Sequence, residues 1–309
     1  MGDNMRDNNF IIENNAKHLW HPMGAPGDSI NNPPKVITNA NGSQISDMDG
    51  HTTVDAVGGL WCVNLGYSNE AVKNAISEQL NHLPYYSGFA GTTNPAAIEA
   101  AYMVKEMFKA DGMEKVFFTS GGSDSVETCL RLSRQYHRLR GEPTRTKFIS
   151  LKKGYHGTHF GGASVNGNNR FRIAYEPLLP GCFHLPSPYT YRNPFNEKDP
   201  QKLALNIAQT FEDEIAFQDK NTIAAFIMEP IQGAGGVIVP DPSFMGLMQE
   251  ICERNGILMI SDEVITGFGR TGSWSGARHW NVKPDMMSMA KGITSGYFPV
   301  GAALMSEKV

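Results

Sequence analysis

The stretch "GILMISDEVITGFGRTG", residues 256–272, places two acids, Asp262 and Glu263, directly after a run of apolar residues. Such a run, preceded by a glycine and followed by a polar loop, is typical of a strand buried in a sheet. A carboxylate at the end of a buried strand is costly unless a permanent partner lies opposite it. The stretch therefore predicts a core strand and a partner for at least one acid.

Five further apolar runs share the length and composition of this one. The gaps between the runs contain helical patterns, for example in residues 125–140 and 242–255. This alternation predicts an α/β fold, in which a mostly parallel sheet is covered by helices on both faces. Ligands of such sheets collect at the carboxyl ends of the strands, so chemistry is expected directly after each run. The runs are "KVFFTS" (115–120), "KFISL" (147–151), "TIAAFIMEP" (222–230), "PDMMSMA" (284–290) and "VGAALMS" (300–306).

The N-terminal part of the chain follows a different pattern. Residues 35–57 alternate β-branched residues with two turn signals, Asn41-Gly42 and Asp49-Gly50. This pattern predicts a small antiparallel meander. We therefore predict an N-terminal arm and subdomain in residues 1–60 and a larger domain in residues 61–309.

The bulk composition excludes several classes of protein. The 309 residues are 40% apolar and carry a formal net charge of −4, without a Lys/Arg block. Nucleic acid and anionic membranes are therefore not expected as partners. The first residues lack the basic and apolar segments of a secretory signal, and no apolar run is long enough for a membrane span, so a cytoplasmic location is expected. The four cysteines lie far apart without a C-x-x-C pair, so we expect reduced thiols and no metal site.

The segment "GGSDSVET" follows the first run and predicts a glycine turn that opens into a helix. Gly121 and Gly122 allow a close approach of an anion, and the N–H groups near Ser123 favour a phosphate. Neither the dinucleotide fingerprint nor the P-loop motif is present. Taken alone, a glycine turn without a ligand is an equally good interpretation.

Two more strand ends carry residues suited to a planar ligand. In "GYHGTHFGG", Tyr155 and His156 can form a flat platform in a glycine-rich loop, although a lone Tyr155 is more often an ordinary packed tyrosine. In "EPIQGAGG", Glu229 and Gln232 can hydrogen-bond to a ring hydroxyl or to another charged group.

Lys291 follows the run "PDMMSMA", 29 residues after Asp262. A lone lysine at such a position is usually a surface residue whose stem packs on apolar neighbours. An anion turn, an aromatic platform, a carboxylate and a lysine at successive strand ends are together the parts of a pyridoxal phosphate site. Lys291 would form the Schiff base with the cofactor. Asp262 would face the pyridine nitrogen and Val264 would pack under the ring, whereas Glu263 is expected to support the fold or a subunit contact.

The ordered motifs of the chain resemble those of the class III, or omega, aminotransferases of fold type I. The resemblance covers nearly the whole chain and implies a large domain with a sheet of the seven-stranded type, plus the N-terminal part of a small domain. It assigns Lys291 as the cofactor-binding lysine, Asp262 as the partner of the pyridine nitrogen and Tyr155 as the stacking aromatic. The motifs are "SGGSD", "YHG", "EPIQGAGG", "SDEVITGFGRTG" and "SMAKG…YFPVGAALMS".

The resemblance also implies the ligands and partners of the protein. It is closest to enzymes that move an amino group from an omega-amino acid or an amine, such as β-alanine or taurine, to pyruvate or another 2-oxo acid. Gly122 and Ser123 would then bind the cofactor phosphate. The implied assembly is a homodimer or tetramer with a shared active site. The substrate pocket would be lined by Trp61, Phe89, Tyr155 and Ala234.

The sequence departs from the family pattern at the phosphate turn and in length. Gly121 and Asp124-Ser125 stand where the family usually has a serine and Glu-Ala. Relatives continue past the last apolar run into a small domain that carries an arginine for the substrate carboxylate and, across the dimer, a threonine for the phosphate. We therefore expect a fragment that lacks the C-terminal small domain.

Two alternatives to transamination stay open at the level of sequence. Another pyridoxal phosphate reaction on the same fold, such as that of an aminomutase, a racemase or a decarboxylase, uses the same cofactor motifs. A catalytically silent fragment that only binds the cofactor is the third hypothesis.

Overall fold

The computed structural model describes residues 7–309. Within them the chain forms two compact units, one of residues 7–60 and 65–78 and the other of residues 61–64 and 79–309. The domain boundary expected after residue 60 stays a prediction.

The first unit contains a three-stranded antiparallel sheet. Its strands are β1 (Ile37–Asn41), β2 (Gln44–Asp47) and β3 (Thr52–Val54), and β2 lies in the centre. The turn between β2 and β3 is held by the Asp47 carboxylate, which accepts the backbone N–H groups of Asp49 and His51. The predicted meander is thus confirmed. Two helices precede the sheet, α1 (Asn8–His18) and α2 (Pro26–Asn31).

The second unit is built around a seven-stranded sheet. Its strand order is β4-β10-β9-β8-β7-β5-β6. The pairs from β9 through β6 are parallel, whereas β10 is antiparallel to both β4 and β9. The predicted mostly parallel sheet is confirmed. The strands are β4 (Met113–Thr119), β5 (Lys147–Leu151), β6 (Cys182–Leu185), β7 (Ile223–Met228), β8 (Leu258–Asp262), β9 (Met286–Met289) and β10 (Gly301–Ser306).

Helices fill the connections between these strands. One of them begins at a recognisable cap: the Asn94 side chain accepts the Ala97 N–H at 2.9 Å, and Pro95 occupies the first turn. No helix in residues 7–309 has the length and apolar character needed to cross a membrane. The helices are α3 (Gly58–Trp61), α4 (Glu70–His82), α5 (Pro95–Met107), α6 (Gly122–Leu139), α7 (Phe160–Val165), α8 (Pro200–Gln218), α9 (Phe244–Asn255) and α10 (Gly276–His279), and short 3₁₀ turns include Asn169–Phe171 and Lys291–Ile293.

The core lies on both faces of the sheet. All six residues of β7 are buried. Because neighbouring residues of a strand point to opposite faces, Phe226 packs on the side of α8 and α9, and Ile227 packs on the side of α6. Each fully buried side chain of this size contributes about 1.5–3 kcal/mol relative to exposure. The central strands, whose ends carry the candidate site, therefore have a rigid support.

Strand β6 was not predicted from the sequence. It is a four-residue edge strand that pairs only with β5 within the described sheet. Its residues include Cys182 and His184 and are mostly half-buried. A short edge strand buries too little apolar surface to give a clear hydrophobic pattern.

Candidate active site

The glycine turn after β4 forms the N-terminus of α6. Gly121 precedes the helix, Gly122 is its first residue, and the Ser123 hydroxyl oxygen accepts the Thr158 N–H at 3.0 Å. This bond leaves the hydroxyl hydrogen of Ser123 available to an acceptor. Gly157 lies so close that a Cβ on it would be 2.7 Å from Ser123 Cα. The turn and the loop after β5 therefore form one tightly packed wall.

Val264 connects this turn to the strand that carries the two acids. A Cβ on Gly122 would lie 3.1 Å from Val264 Cγ1, which is close contact. The Val264 N–H also donates to Asp262 Oδ1 at 3.1 Å. The packing therefore brings the helix N-terminus next to the end of β8.

Asp262 is the last residue of β8 and has only 3% of its surface exposed. Its Oδ2 lies 2.7 Å from Nδ1 of the buried His156. Within residues 7–309, no Lys or Arg forms an ion pair with this carboxylate, and His156 Nε2 is buried without a hydrogen-bond partner. The buried acid is thus supported by an imidazole and one N–H, a set that suits a further cationic partner.

Glu229 follows β7 and is also buried. Its Oε2 accepts the Tyr155 N–H and its Oε1 accepts the Gly233 N–H, both at 3.0 Å. Burial raises the pKa of Glu229 to about 7, and the nearby Asp262 adds to the increase while His156 opposes it. The carboxylate ties together the loops after β5 and β7. A hydrogen bond from Glu229 to a ring hydroxyl stays a prediction.

Tyr155 lies beside these acids with its ring half-buried. The ring packs edge-on against Phe171, with 4.6 Å between the ring centroids. Burial and the charges of Asp262 and Glu229 raise the pKa of the Tyr155 hydroxyl, which is therefore protonated at neutral pH. The sequence did not identify Phe171 because it lies in an irregular segment without a periodic pattern.

Lys291 begins the 3₁₀ turn after β9. Its amine lies 5.3 Å from the centroid of the Trp61 ring. Burial lowers the pKa of Lys291, and the charges of Cys62, Asp262 and Glu229 partly oppose this shift. The lysine and both acids therefore act on one another electrostatically, and burial favours a neutral, nucleophilic amine.

Lys291 and Trp61 both have left-handed backbone conformations, with φ values of 49° and 62°. Such conformations cost about 1–3 kcal/mol for residues other than glycine and concentrate at functional sites. The backbone strain therefore falls on the two residues whose side chains meet at the amine.

Two residues expected in the substrate pocket lie at the surface of the single chain. Phe89 has 97% of its surface exposed. Ala234 is exposed in the tight turn that joins the bridged residues Gln232 and Ile238. Trp61 and Tyr155 lie near Lys291 and the acids, whereas Phe89 is not placed with them within one chain.

Glu263 is fully buried and points away from solvent. Its carboxylate accepts the Ser261 and Thr266 hydroxyls and the N–H groups of Gly276 and Ala277. Four donors from three segments make Glu263 a structural anchor for the loop after β8. This placement agrees with the expectation that Glu263 supports the fold.

Asn166 is a buried residue that the sequence analysis missed. Its side-chain oxygen accepts the His156 N–H, and its side-chain nitrogen donates to the Gly157 carbonyl at 2.8 Å. Asn166 therefore shapes the loop that carries His156. A single asparagine after the short helix α7 gives no signal of this role in the sequence.

Comparison with known proteins identifies the family of this chain. The sequence profile described as Aminotransferase class-III matches residues 27–309. The chain belongs to the class III aminotransferases. The resemblance inferred from the motifs is thus confirmed, and the fold of this class III chain agrees with it.

Curated relatives of this class III chain include enzymes with described substrates. The putrescine–pyruvate aminotransferase of Pseudomonas aeruginosa is 38% identical over 275 residues, which are 89% of this chain and 60% of that protein. The omega-aminotransferase of Caulobacter vibrioides is 36% identical over 298 residues, which are 96% of this chain and 67% of that protein.

Solved structures show the same architecture. An amine transaminase from an uncultivated Pseudomonas species, solved with pyridoxal phosphate bound, is 46% identical with a TM-score of 0.93, and the match covers 94% of this chain and 66% of that chain. The (S)-enantioselective omega-transaminase of Thermomicrobium roseum is 35% identical with a TM-score of 0.95, and the match covers 98% of this chain and 67% of that chain. The chain spans about two thirds of the length of these relatives, or less.

Class III aminotransferases use pyridoxal phosphate, and the donor set of this site fits that cofactor. An aldehyde requires an amine of lowered pKa, a pyridinium requires a buried carboxylate, and a phosphate requires the donors of a helix N-terminus. Lys291 after β9, Asp262 at the end of β8 and the turn at Gly122 after β4 can supply these three groups. The cofactor inferred from the sequence therefore agrees with the chemistry of the site.

Proposed function

We propose that this chain binds pyridoxal phosphate and transfers an amino group from an omega-amino acid or an amine to pyruvate or another 2-oxo acid. The observation that carries the proposal is the placement of Lys291, whose pKa is lowered by burial, and of the buried carboxylate of Asp262 directly after and at the end of two neighbouring strands. The names of the putrescine–pyruvate and omega-aminotransferase relatives support an amine donor.

Lys291 is the residue proposed to bind the cofactor aldehyde and to move the substrate proton. When bound, pyridoxal phosphate supplies an electron sink for the bond that breaks at the substrate carbon. The Lys291 amine takes the proton from the amino-bearing carbon of the donor and so acts as a general base. It then gives a proton back as a general acid. Its lowered pKa keeps a larger fraction of the amine unprotonated near neutral pH.

Asp262 and His156 are proposed to hold the charge that the ring nitrogen requires. His156 Nδ1 lies 2.7 Å from Asp262 Oδ2, and this contact fixes the direction of the carboxylate. Tyr155 would stack on the ring, and Gly121, Gly122 and Ser123 would bind the phosphate. Val264, which lies against Gly122, would pack under the ring.

We further propose that two copies of the chain assemble as a homodimer with a shared site. The segment before α5 and the outer face of α5 expose large apolar side chains: Tyr85, Tyr86, Phe89, Ile98, Tyr102 and Met103. A monomeric protein rarely exposes so many large apolar residues in one region. A second copy would cover them and bring Phe89 to the pocket of its neighbour.

The proposal is tested by cofactor titration and by an alanine assay on the chain as it exists. Wild-type protein is expected to develop a cofactor absorbance band and to form alanine from pyruvate with putrescine, β-alanine or taurine. Lys291→Ala should lose both signals, whereas the exposed-site control Lys198→Ala should keep them. Retention of the band and of turnover in Lys291→Ala would overturn the assignment of the lysine. Failure of every donor to give alanine would contradict transamination.

A further inference from the structure

A cavity of about 300 Å³ opens next to the candidate active site. Its apolar wall includes Trp61, Val237 and Ile265. Two of these residues adjoin the site already described: Trp61 contacts the Lys291 amine, and Ile265 follows Val264 directly. The volume lies at the low end of the range for ligand pockets, roughly 300–1,000 Å³.

The charged side chains that line this cavity are all potentially cationic. Arg270 and His279 line it, and among residues 7–309 no acidic residue does. The Arg270 guanidinium donates to Asn64 Oδ1 at 2.6 Å, and within residues 7–309 it forms no ion pair. Asn64 in turn donates to the Phe268 carbonyl at 3.1 Å, which fixes the amide that orients the guanidinium. A positioned guanidinium without a carboxylate suits an anionic ligand.

Two further polar groups in the cavity wall lack partners. Thr271 Oγ1 and Trp280 Nε1 are shielded from solvent and have no hydrogen-bond partner among the described residues. Both residues line the cavity. Both atoms are shielded from the open space of the cavity, so the donor that a ligand there can reach is the Arg270 guanidinium. The wall therefore combines apolar side chains with the Arg270 guanidinium.

The segment Trp61–Asn64 connects Arg270 to Lys291. The Trp61 ring contacts the Lys291 amine, and the Asn64 side chain holds Arg270. Four residues span at most about 14 Å when fully extended. The positive charges of Lys291 and Arg270 both lower the pKa of Cys62, which lies between Trp61 and Asn64, against the larger increase from burial. The two cations therefore flank one short stretch of chain.

From this arrangement we propose that Arg270 binds the distal carboxylate of the amino donor and that the cavity holds its apolar body. The ligand class is an aliphatic or aromatic carboxylate with an amine at the far end. Turnover of such a ligand rests on the proposed aminotransferase function, whereas binding of the carboxylate does not. Arg270 is then a specificity-determining residue that the motif analysis did not assign.

The test uses hexanoate, which carries the apolar body and the carboxylate but no amine. Calorimetry on the cofactor-free chain should show hexanoate binding to wild type and much weaker binding of 1-hexanol. Arg270→Gln should weaken hexanoate binding by about 10- to 100-fold, because a charge-assisted hydrogen bond is lost, and Arg270→Lys should keep part of the affinity. The exposed Arg138→Gln on α6 is the matched control and should bind as wild type does.

A second measurement separates this inference from the proposed function. With active enzyme, Arg270→Gln should raise KM for 6-aminohexanoate about 10-fold or more and leave kcat and the KM for pentylamine nearly unchanged. The chain could bind hexanoate through Arg270 and yet develop no cofactor absorbance band. This result would support the carboxylate site at Arg270 and contradict the aminotransferase proposal. Equal hexanoate affinity in wild type and Arg270→Gln, or no hexanoate binding to wild type, would overturn the role of Arg270.

Discussion

His156 Nδ1 lies 2.7 Å from Asp262 Oδ2, and both side chains are almost completely buried. The two residues are 106 positions apart in the chain: His156 lies in the loop after β5, and Asp262 ends β8. This contact explains how a carboxylate is tolerated at the end of a core strand even before a ligand is considered. It also makes His156 the residue through which Asp262 is oriented.

Replacing His156 should weaken cofactor binding and stability together. His156→Ala leaves the Asp262 carboxylate without its strongest donor, so we expect the free energy of unfolding to fall by about 1–3 kcal/mol. The affinity for pyridoxal phosphate should fall about 10-fold. Denaturant unfolding and absorbance titration measure the two effects. The exposed His159→Ala is the control, and equal behaviour of the two variants would show that the imidazole does not support Asp262.

Glu229 should make the stability of the protein depend on pH. Its pKa is about 7 in the folded chain, above the ordinary value of 4.5, so the folded state binds this proton more tightly than the unfolded state does. The corresponding stability is present below pH 4.5 and is lost as the pH rises through 7. The loss is at most about 3 kcal/mol.

Denaturant unfolding of wild type and Glu229→Gln at several pH values tests this dependence. The variant should be less stable than wild type, because its amide NH₂ group faces the Tyr155 or Gly233 N–H. Its free energy of unfolding should change less between pH 5 and pH 8, because the variant lacks the group with a pKa of about 7. Parallel profiles of the two proteins would assign the pH dependence to other groups.

Gly157 should be intolerant of any side chain. Its φ of +93° disfavours other residues, and a Cβ would lie 2.7 Å from Ser123 Cα. We expect Gly157→Ala to cost about 2 kcal/mol or more and to weaken phosphate binding, because the turn at Ser123 must move. Gly236→Ala is the matched control, since Gly236 has a φ of +123° but open space around its Cβ. A Gly157 variant no worse than the control would exclude the close packing as the cause.

Removing the Glu263 carboxylate should destabilise the fold more than removing any exposed acid. Glu263→Ala leaves four buried donors without their acceptor, and we expect a loss of at least about 3 kcal/mol. The exposed Glu250→Ala on α9 should change stability by less than about 0.5 kcal/mol. Thermal and denaturant unfolding of the two variants decide the comparison, and a small effect of Glu263→Ala would remove its role as an anchor.

Much of the fold followed from local patterns. The strands β5, β7 and β8 are short, buried and apolar, so their sequences differ sharply from the helices around them. Strand β6 escaped because its stability comes from pairing with β5 rather than from its own composition. The antiparallel direction of β10 was also not visible, since a short apolar run carries no information about the direction of its neighbours.

The residues of the candidate site also fall into those predicted from the sequence and those seen only in the structure. Asp262 and Lys291 were predicted because an anion turn, an aromatic platform, a carboxylate and a lysine follow successive apolar runs, and their roles toward the cofactor stay predictions. Asn166, Phe171 and Arg270 were missed because each lies in an irregular segment and acts through a contact with a residue far away in the chain. Phe89 met the family pattern but is exposed in the single chain.

By itself the sequence determined the alternation of buried strands and helices apart from β6, the strand ends that carry the acids and the lysine, and the family. These features depend on hydrophobic periodicity and on residue types at short spacing, which are local properties of a chain. Only the tertiary structure decided that His156 supports Asp262, that Glu229 ties two loops together, and that Arg270 faces a cavity beside Lys291. Such contacts join residues that are distant in the chain, and they exist only after the sheet has brought the strand ends to one edge.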